Sequence, residues 1–363
     1  MNHLCANKHA CGLTQRIIHV HPGLGCNLSC RHCYSSSGPA SKVRLDTDVV
    51  CQALNDAANL GYDVAAFSGG EPTMHPGLLQ MLQTARASGL RTTVTTNGTL
   101  LTDRIISDLE ECVDLLAISL DGPPEVHNQM RGSETTFSRM MEGLNRLKQS
   151  RIPYGFIFTL TQTSWEHLVW AGEFAVEHGG QLLQVHPLEQ MGRGASLIQL
   201  SPDTDILAKA YLLGLALQAR FNNVLRVQID LFNREHLLQY PNAVYAAGGI
   251  SGRTSVPADR LNLIVLEADG SVVPFAYGLS HEYAIANVRE QRLEHAFPIY
   301  LETRYPRLLE LCYRVFQDQV VATDSPLLNW YEAVVRTSHS SRLGNVAGSA
   351  DTNLTVNPQV NFS

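Results

Sequence analysis

The sequence predicts an α/β fold built on parallel strands. From Ile17 to about Leu200, six short apolar or β-branched runs alternate with amphipathic helical stretches, and such alternation means parallel strands joined by right-handed crossovers. Each run is short and either apolar or β-branched, as buried parallel strands are. After Ser201 the pattern changes, so the repeat has an end. Six βα units suit a partial barrel as well as a doubly wound sheet. In both, the functional groups sit on the loops after the strand C-termini.

The expected strands are Ile17–His21, Val64–Phe67, Arg91–Thr95, Leu115–Leu120, Tyr154–Leu160 and Gln181–His186. The helices between them have recognisable ends. Asp46 is placed to cap the first, whose apolar face is Val49, Val50, Ala53, Leu54 and Ala57, with Gly61 just past its end. Pro76 at the first helical position opens the second and Gly89 closes it. Thr102 caps a third. Phe137, Met140, Met141, Leu144 and Leu147 stripe a fourth, and a fifth runs from Ser164 to His178 before Gly179-Gly180. Arg131 falls on a loop. Beyond Ser201 we expect a helix from about Thr204 to Ala219 and a β-hairpin of Leu263–Leu266 and Val272–Pro274 turning on Asp269-Gly270. Helical stretches follow over about Leu293–Val321 and Pro326–Thr337. The tail from Ser338 to Ser363, rich in Ser, Asn and Gly, reads as disordered.

The 363 residues suffice for two domains or so. A formal net charge of −7 without a basic cluster argues against nucleic acid and anionic membrane as partners. No apolar run approaches the ~18 residues of a membrane span; the longest, Ala210 to Leu217, reads as a buried helix. Met1 to Gln15 lacks an apolar signal segment. Eight cysteines without a regular framework read as thiols of a reducing, cytoplasmic compartment.

Directly after the first strand, Cys26, Cys30 and Cys33 form a C-x3-C-x2-C run followed by Tyr34. Three thiolates at this spacing suit a [4Fe–4S] cluster with one iron left open for chemistry. On spacing alone, a zinc site completed by His32 or His21, or a disulfide plus a spare thiol, fits as well. The later strands end in further polar groups. These are Ser68-Gly69-Gly70-Glu71-Pro72, Thr95-Thr96-Asn97-Gly98, Ser119-Leu120-Asp121-Gly122, Thr159 with Thr161, and His186-Pro187-Leu188. Two glycines allow close backbone approach to a ligand, Glu71 can accept from an ammonium group, and Arg131 can pair with a carboxylate.

The cysteine run, then GGEP, then TNG, then S-x-D, each at a strand end in this order, resembles the radical S-adenosylmethionine (SAM) enzymes over roughly Ile17 to Leu200. The resemblance implies a partial (β/α)6 TIM-like barrel with a smaller α+β C-terminal extension. It implies a [4Fe–4S] cluster on Cys26, Cys30 and Cys33, with SAM on the open iron. Gly69, Gly70, Glu71 and Pro72 would hold the SAM amino group and Arg131 its carboxylate. Asn97, Ser119 and Asp121 would line the ribose and methionine side, and backbone near Tyr34 and Leu188 would meet adenine. His186 reads equally as a core histidine. The implied chemistry is reductive cleavage of SAM to a 5′-deoxyadenosyl radical that abstracts hydrogen from the substrate, with a flavodoxin or ferredoxin as electron donor.

Leu263–Phe275 and Tyr283–Glu290 are similar to the SPASM or twitch extension of peptide-modifying radical SAM enzymes. That extension normally carries auxiliary clusters, yet here Phe275 follows Pro274 where cysteine is usual, and only Cys312 comes later. It reads as a degenerate extension that shapes the substrate cavity. The expected organisation is an N-terminal segment (1–15), a radical SAM core (16–200), the SPASM-like extension (201–337) and the tail (338–363). The remaining cysteines read as structural, with Cys5, His9 and Cys11 on a frayed N-terminus. A peptide is the expected substrate, presented by a separate protein because only some 15 residues precede the first strand. A small-molecule or cofactor-forming radical SAM enzyme and a non-catalytic iron–sulfur protein are the alternatives.

Overall fold

A computed structural model describes residues 15–245 and 256–340. In chain order the main elements are β1 (Ile17–Val20), α1 (Thr47–Asn59), β2 (Val64–Phe67), α2 (Leu78–Ala87), β3 (Arg91–Thr96), α3 (Asp103–Glu110), β4 (Leu115–Leu120), α4 (Pro124–Arg131), α5 (Thr136–Leu147), β5 (Tyr154–Leu160), α6 (Leu168–Glu177), β6 (Leu182–Pro187), α7 (Thr204–Arg220) and β7 (Arg226–Ile229). They continue with β8 (Phe232–Asn233), α8 (Arg234–Gln239), β9 (Leu263–Leu266), β10 (Ser271–Pro274), β11 (Ala286–Asn287), α9 (Leu293–Thr303), α10 (Tyr305–Phe316), β12 (Leu327–Leu328) and α11 (Trp330–Ser340).

Ten strands form one open sheet in the order β11-β10-β9-β1-β2-β3-β4-β5-β6-β7. From β9 to β7 every pairing is parallel. The six expected strands all form, each within about a residue at its ends. The C-terminal hairpin is continuous with them: Ile17 of β1 is in register with Val64 on one side and Leu263 on the other. Alternate residues of β1, Ile18 and Val20, are fully buried against the helical layer, and His19 faces the opposite side.

That opposite side is concave. His19 senses the charges of Asp230, Glu189 and His186, although β6 is the fifth strand from β1 in the sheet. In a flat sheet those strands would stand about 24 Å apart, so the sheet curls into part of a barrel. Burial lowers the pKa of His19 to about 4, which the two carboxylates only partly offset.

Several expected boundaries shift. The second helix begins at Leu78, not Pro76, with Gly77 as its cap and Pro72–Met74 forming a separate short turn before it. Arg131 is not on a loop: it ends α4, which Gly132 stops with a left-handed φ of 73°. The Ala210–Leu217 run is amphipathic rather than buried, because Leu212 is 65% exposed while Ala210 and Leu217 are buried. The helical region expected over about Leu293–Val321 divides at Arg304 into α9 and α10, where Pro306 cannot donate a helical hydrogen bond. Pro326 precedes a short strand, β12, rather than opening a helix, and α11 begins at Trp330. The helix then runs to Ser340 with Ser338 buried, so residues 338–340 belong to it and not to the expected tail. The rest of that tail, and Cys5, His9 and Cys11, lie outside the described residues.

Candidate active site at the strand ends

The loop after β1 gathers Cys26, Cys30 and Cys33. With Leu28 they form a small apolar cluster separate from the main core, and all three are free thiols. Backbone bonds shape the loop: Cys26 N donates to Gly38 O (3.2 Å), Gly38 N to Leu24 O (3.1 Å) and Arg31 N to Met130 O (2.9 Å). The segment after β6 clamps it from above. Arg193 donates from Nε to Cys30 O and from Nη2 to Ser37 O, both at 2.7 Å, and its own N–H reaches Cys33 O at 2.9 Å. No motif in the sequence marked Arg193. The only hint was its place between Gly192 and Gly194, of which Gly192 packs directly on the Cys33 and Tyr34 carbonyls.

The diglycine turn after β2 is sewn to the same loop. Gly70 N donates to Gly23 O and Glu71 N to Gly25 O, each at 2.9 Å. Here the glycines serve loop-to-loop packing: a Cβ on Gly70 would sit 2.1 Å from Gly25 O. Glu71 is buried, and its carboxylate is fully engaged within the chain. It accepts from Thr73 Oγ1 (2.7 Å), Thr73 N (3.2 Å), Thr96 Oγ1 (2.8 Å) and Asn97 N (2.9 Å). Burial raises its pKa, and the donors from Asn97, Thr73 and Thr96 oppose the shift. Glu71 thus ties β2's end to β3's end. Pro72 is buried beside it. Asn97 in turn donates from Nδ2 to Asn27 Oδ1 (2.9 Å), with Cys26 Sγ 4.0 Å away, and accepts from Thr99.

At the end of β4, Ser119 is half-buried and Asp121 is 1% exposed. Asp121 and Arg131 form a two-pronged pair, Nε to Oδ2 at 2.6 Å and Nη2 to Oδ1 at 3.2 Å. The third guanidinium nitrogen faces Cys30 Sγ at 3.8 Å. Burial alone would raise the Asp121 carboxyl, but the Arg131 charge overcomes it and holds the group well below the usual range. His127 Nδ1 accepts from Asp121 N (3.2 Å), so its proton sits on Nε2, which is buried without a partner. A cavity of about 290 Å³ opens beside Asp121, lined by Arg31, Gln129, Thr159, Thr161 and Leu200 among others.

Tyr34 leaves the cysteine loop with its hydroxyl 3.0 Å from Ser68 Oγ and its ring 5.4 Å from that of Tyr277, edge to face. Tyr277 belongs to the segment after β10, and no sequence motif marks it; it lies two residues beyond Phe275, a buried residue held at φ 66°. Leu188 is buried, and its backbone N–H is already given to Leu160 O (2.9 Å). His186 is not a core histidine. Its side chain is 37% exposed, and it lies between Asp230 (Nδ1, 2.9 Å) and Glu189 (Nε2, 3.1 Å). Burial would lower its pKa, but those two hydrogen bonds raise it well above the ordinary value.

The donor set fits an iron–sulfur cluster. A single zinc with Zn–S about 2.3 Å confines its sulfurs to within about 4.6 Å of one another. Among the described residues, the one group of three His, Cys or carboxylate ligand atoms mutually within 4.8 Å is Glu267, Asp269 and His281. The three thiols share one small cluster, yet their sulfurs are not all within 4.8 Å of one another, which is wider than one zinc would hold them. Burial raises Cys26 to about 11 and raises Cys30 despite Arg131 beside it. Metal binding must therefore remove those protons.

Comparison with known proteins agrees. An AdoMet-dependent heme synthase of Methanosarcina barkeri is 33% identical over 183 residues, 49% of this chain and 52% of that protein. A PqqA peptide cyclase of Ruegeria pomeroyi is 27% identical over 260 residues, 69% of this chain and 64% of that one. The chain spans about half the length of the first curated relatives it matches. In fold it is similar to Streptococcus suis SuiB bound to S-adenosylmethionine (TM-score 0.63, 15% identity, 80% of this chain and 68% of that one). It is also similar to anSMEcpe with bound AdoMet and Kp18Cys peptide (TM-score 0.61, 22% identity, 91% and 98%). Residues 20–175 match the radical SAM superfamily, and the core of this chain is a radical SAM domain.

Proposed function

We propose that this chain is a radical SAM enzyme that modifies a peptide. The observation that carries the reading is the convergence of Cys26, Cys30 and Cys33 in one cluster, sewn by two backbone hydrogen bonds to the Gly69–Pro72 turn. Those three thiolates would hold a [4Fe–4S] cluster. When bound, the cluster and SAM supply one-electron cleavage of the sulfonium and a 5′-deoxyadenosyl radical for hydrogen abstraction.

The chain's own residues position and shield. The Gly69–Pro72 backbone would take the SAM amino group, because the Glu71 carboxylate is already engaged. Ser119 and Asn97 would line the ribose and methionine side, and the Tyr34 and Leu188 backbone would border adenine. Residues 201–337 would serve as a SPASM-like wall without an auxiliary cluster: Tyr277 reaches the cysteine loop, and Cys312 is fully buried among core residues. A peptide is favoured over a small molecule because the similarity to the peptide cyclase runs through 69% of the chain. The heme synthase matches cover under half of it.

Anaerobic reconstitution with iron and sulfide, then incubation with SAM and a strong reductant, tests the reading. Release of 5′-deoxyadenosine that vanishes in a triple Cys→Ala variant of the loop supports it. None from a fully loaded protein favours a non-catalytic iron–sulfur role.

A further inference from the structure

We propose that Arg131 sets the reduction equilibrium of the cluster through the Cys30 sulfur, with Asp121 as its buried counter-charge. The inference rests on the cluster reading of the cysteine loop. It makes Arg131 a positioning and tuning residue, in place of a ligand to the SAM carboxylate.

The geometry leaves the guanidinium little freedom for another partner. Nε and Nη2 are spent on the two Asp121 oxygens, and Nη1 faces Cys30 Sγ at 3.8 Å. Arg131 is 8% exposed and Asp121 1%. The surroundings hold the pair in place. Gly132 ends α4 directly after Arg131 with a left-handed turn, and Arg31 N ties the cysteine loop to Met130 O next to it. His32 Nε2 at 3.7 Å and His127 Nδ1 at 3.8 Å also face the Asp121 carboxylate. The fixed charges that the geometry sets beside Cys30 are the Arg131 cation, close to the sulfur, and the Asp121 anion behind it.

Reduction adds one electron to the cluster, with no bond formed or broken in the protein. The cluster becomes one unit more negative. A guanidinium donating to a ligating sulfur stabilises that state, and a carboxylate behind it destabilises it. The two residues must therefore act in opposite directions, a sign pattern that simple loss of packing does not produce.

The test uses SAM-free, anaerobically reconstituted full chain, titrated with dithionite and followed by EPR. Wild type is compared with Arg131→Lys, Arg131→Gln, Asp121→Asn and the Arg131→Gln/Asp121→Asn double variant. Iron and sulfide are counted, and SAM binding is measured separately. Arg131→Gln should make reduction at least about tenfold less favourable, 59 mV for a one-electron couple. Asp121→Asn should shift it the other way, with the double variant between them and Arg131→Lys nearest wild type. The double variant leaves no lone buried charge, so with Arg131→Lys it carries the comparison if a single variant fails to fold. Unchanged potentials with a loss of SAM affinity would overturn the proposal and return Arg131 to the SAM carboxylate. Shifts of the same sign in both single variants would also overturn it. A wild-type chain that takes up no cluster would sink the underlying reading and this inference together. A loaded wild type with the wrong sign pattern sinks the inference alone.

Discussion

Tyr277 stacks on His21, with ring centroids 4.9 Å apart and planes 29° from parallel. His21 is the first residue after β1 and Tyr277 follows β10, so the contact joins the C-terminal hairpin to the root of the cysteine loop. Tyr34 meets the Tyr277 ring edge to face, making a three-ring wall over the loop. The far half of the chain thereby helps to form the site.

Tyr277→Ala should loosen that wall. Each such ring pair contributes about 0.5–1.5 kcal/mol beyond area burial. A loss of about 1–3 kcal/mol in urea unfolding is expected, with faster bleaching of a reconstituted cluster in air. Tyr277→Phe keeps both ring contacts and should stay near wild type. Equal bleaching rates for Tyr277→Ala and wild type would count against the shielding role.

Arg193→Ala removes two charge-assisted hydrogen bonds to carbonyls of the cysteine loop, each worth about 1.5–3 kcal/mol where well formed. Iron occupancy after reconstitution should fall by at least half, while the unfolding midpoint moves less, since the loop lies outside the main core. Arg193→Lys reaches at most one carbonyl and should be intermediate. Full occupancy in Arg193→Ala would show that the clamp is dispensable.

Gly70→Ala places a methyl 2.1 Å from the Gly25 carbonyl, a backbone atom fixed by its bond from Glu71 N. Overpacking of this kind costs about 1–3 kcal/mol, and here it pries apart the two loops of the site. Iron content should drop. Gly89→Ala is the control: its φ of 84° costs about 1–2 kcal/mol, but nothing lies within 4 Å, so iron content should hold.

Most strands were legible as short apolar runs, and β3, RTTVTT, through its β-branched residues. The cysteine loop was legible because ligand chemistry compresses into a short spacing. What escaped had distributed causes. Glu71 looks free in sequence, yet its donors come from Thr96 and Asn97 on the next strand as well as from Thr73. Arg131 was read as a loop residue because α4 is eight residues long and buries only His127 and Arg131, leaving no apolar stripe. Pro124 at its start and Gly132 at its end were the available signals. The docking of β9 on β1 had a signal too: Ile264, Val265 and Leu266 are all buried, more than a hairpin with one open face would require.

Metal content tests whether the C-terminal half carries a cluster of its own. Cys51, Cys112 and Cys312 are all buried in the main core. Reconstituted wild type should hold about four irons per chain, the content of one [4Fe–4S] cluster. The triple variant at Cys26, Cys30 and Cys33 should hold essentially none, and Cys312→Ala should hold the full amount. About eight irons in wild type, halved in Cys312→Ala, would contradict the reading of a clusterless extension.

Acid should destabilise the apo fold well before the lowered carboxylates titrate. Burial lowers His19 and His127 to about 4 and His21 to about 3. The folded values lie below the unfolded value near 6.5, so between about pH 4 and 6.5 the unfolded chain binds more protons, and stability falls as pH falls. His186, raised in the folded state, works in the other direction: its contribution is complete below pH 6.5 and is lost as pH rises through its folded value. The lowered carboxylates Asp63, Asp114, Asp121 and Asp230 keep their contribution until pH drops through 3.8 and below. The loss between pH 6.5 and 5 therefore belongs to the buried neutral histidines, at up to about 1.4 kcal/mol per pH unit for each. Unfolding free energies from urea titrations at pH 7, 6 and 5 should decline by several kcal/mol in total. His127→Asn can still accept the Asp121 N–H and should reduce the slope by one group's share. A midpoint independent of pH across that range would mean that these imidazoles are solvated, and that the packing of His19, His21 and His127 described above is wrong.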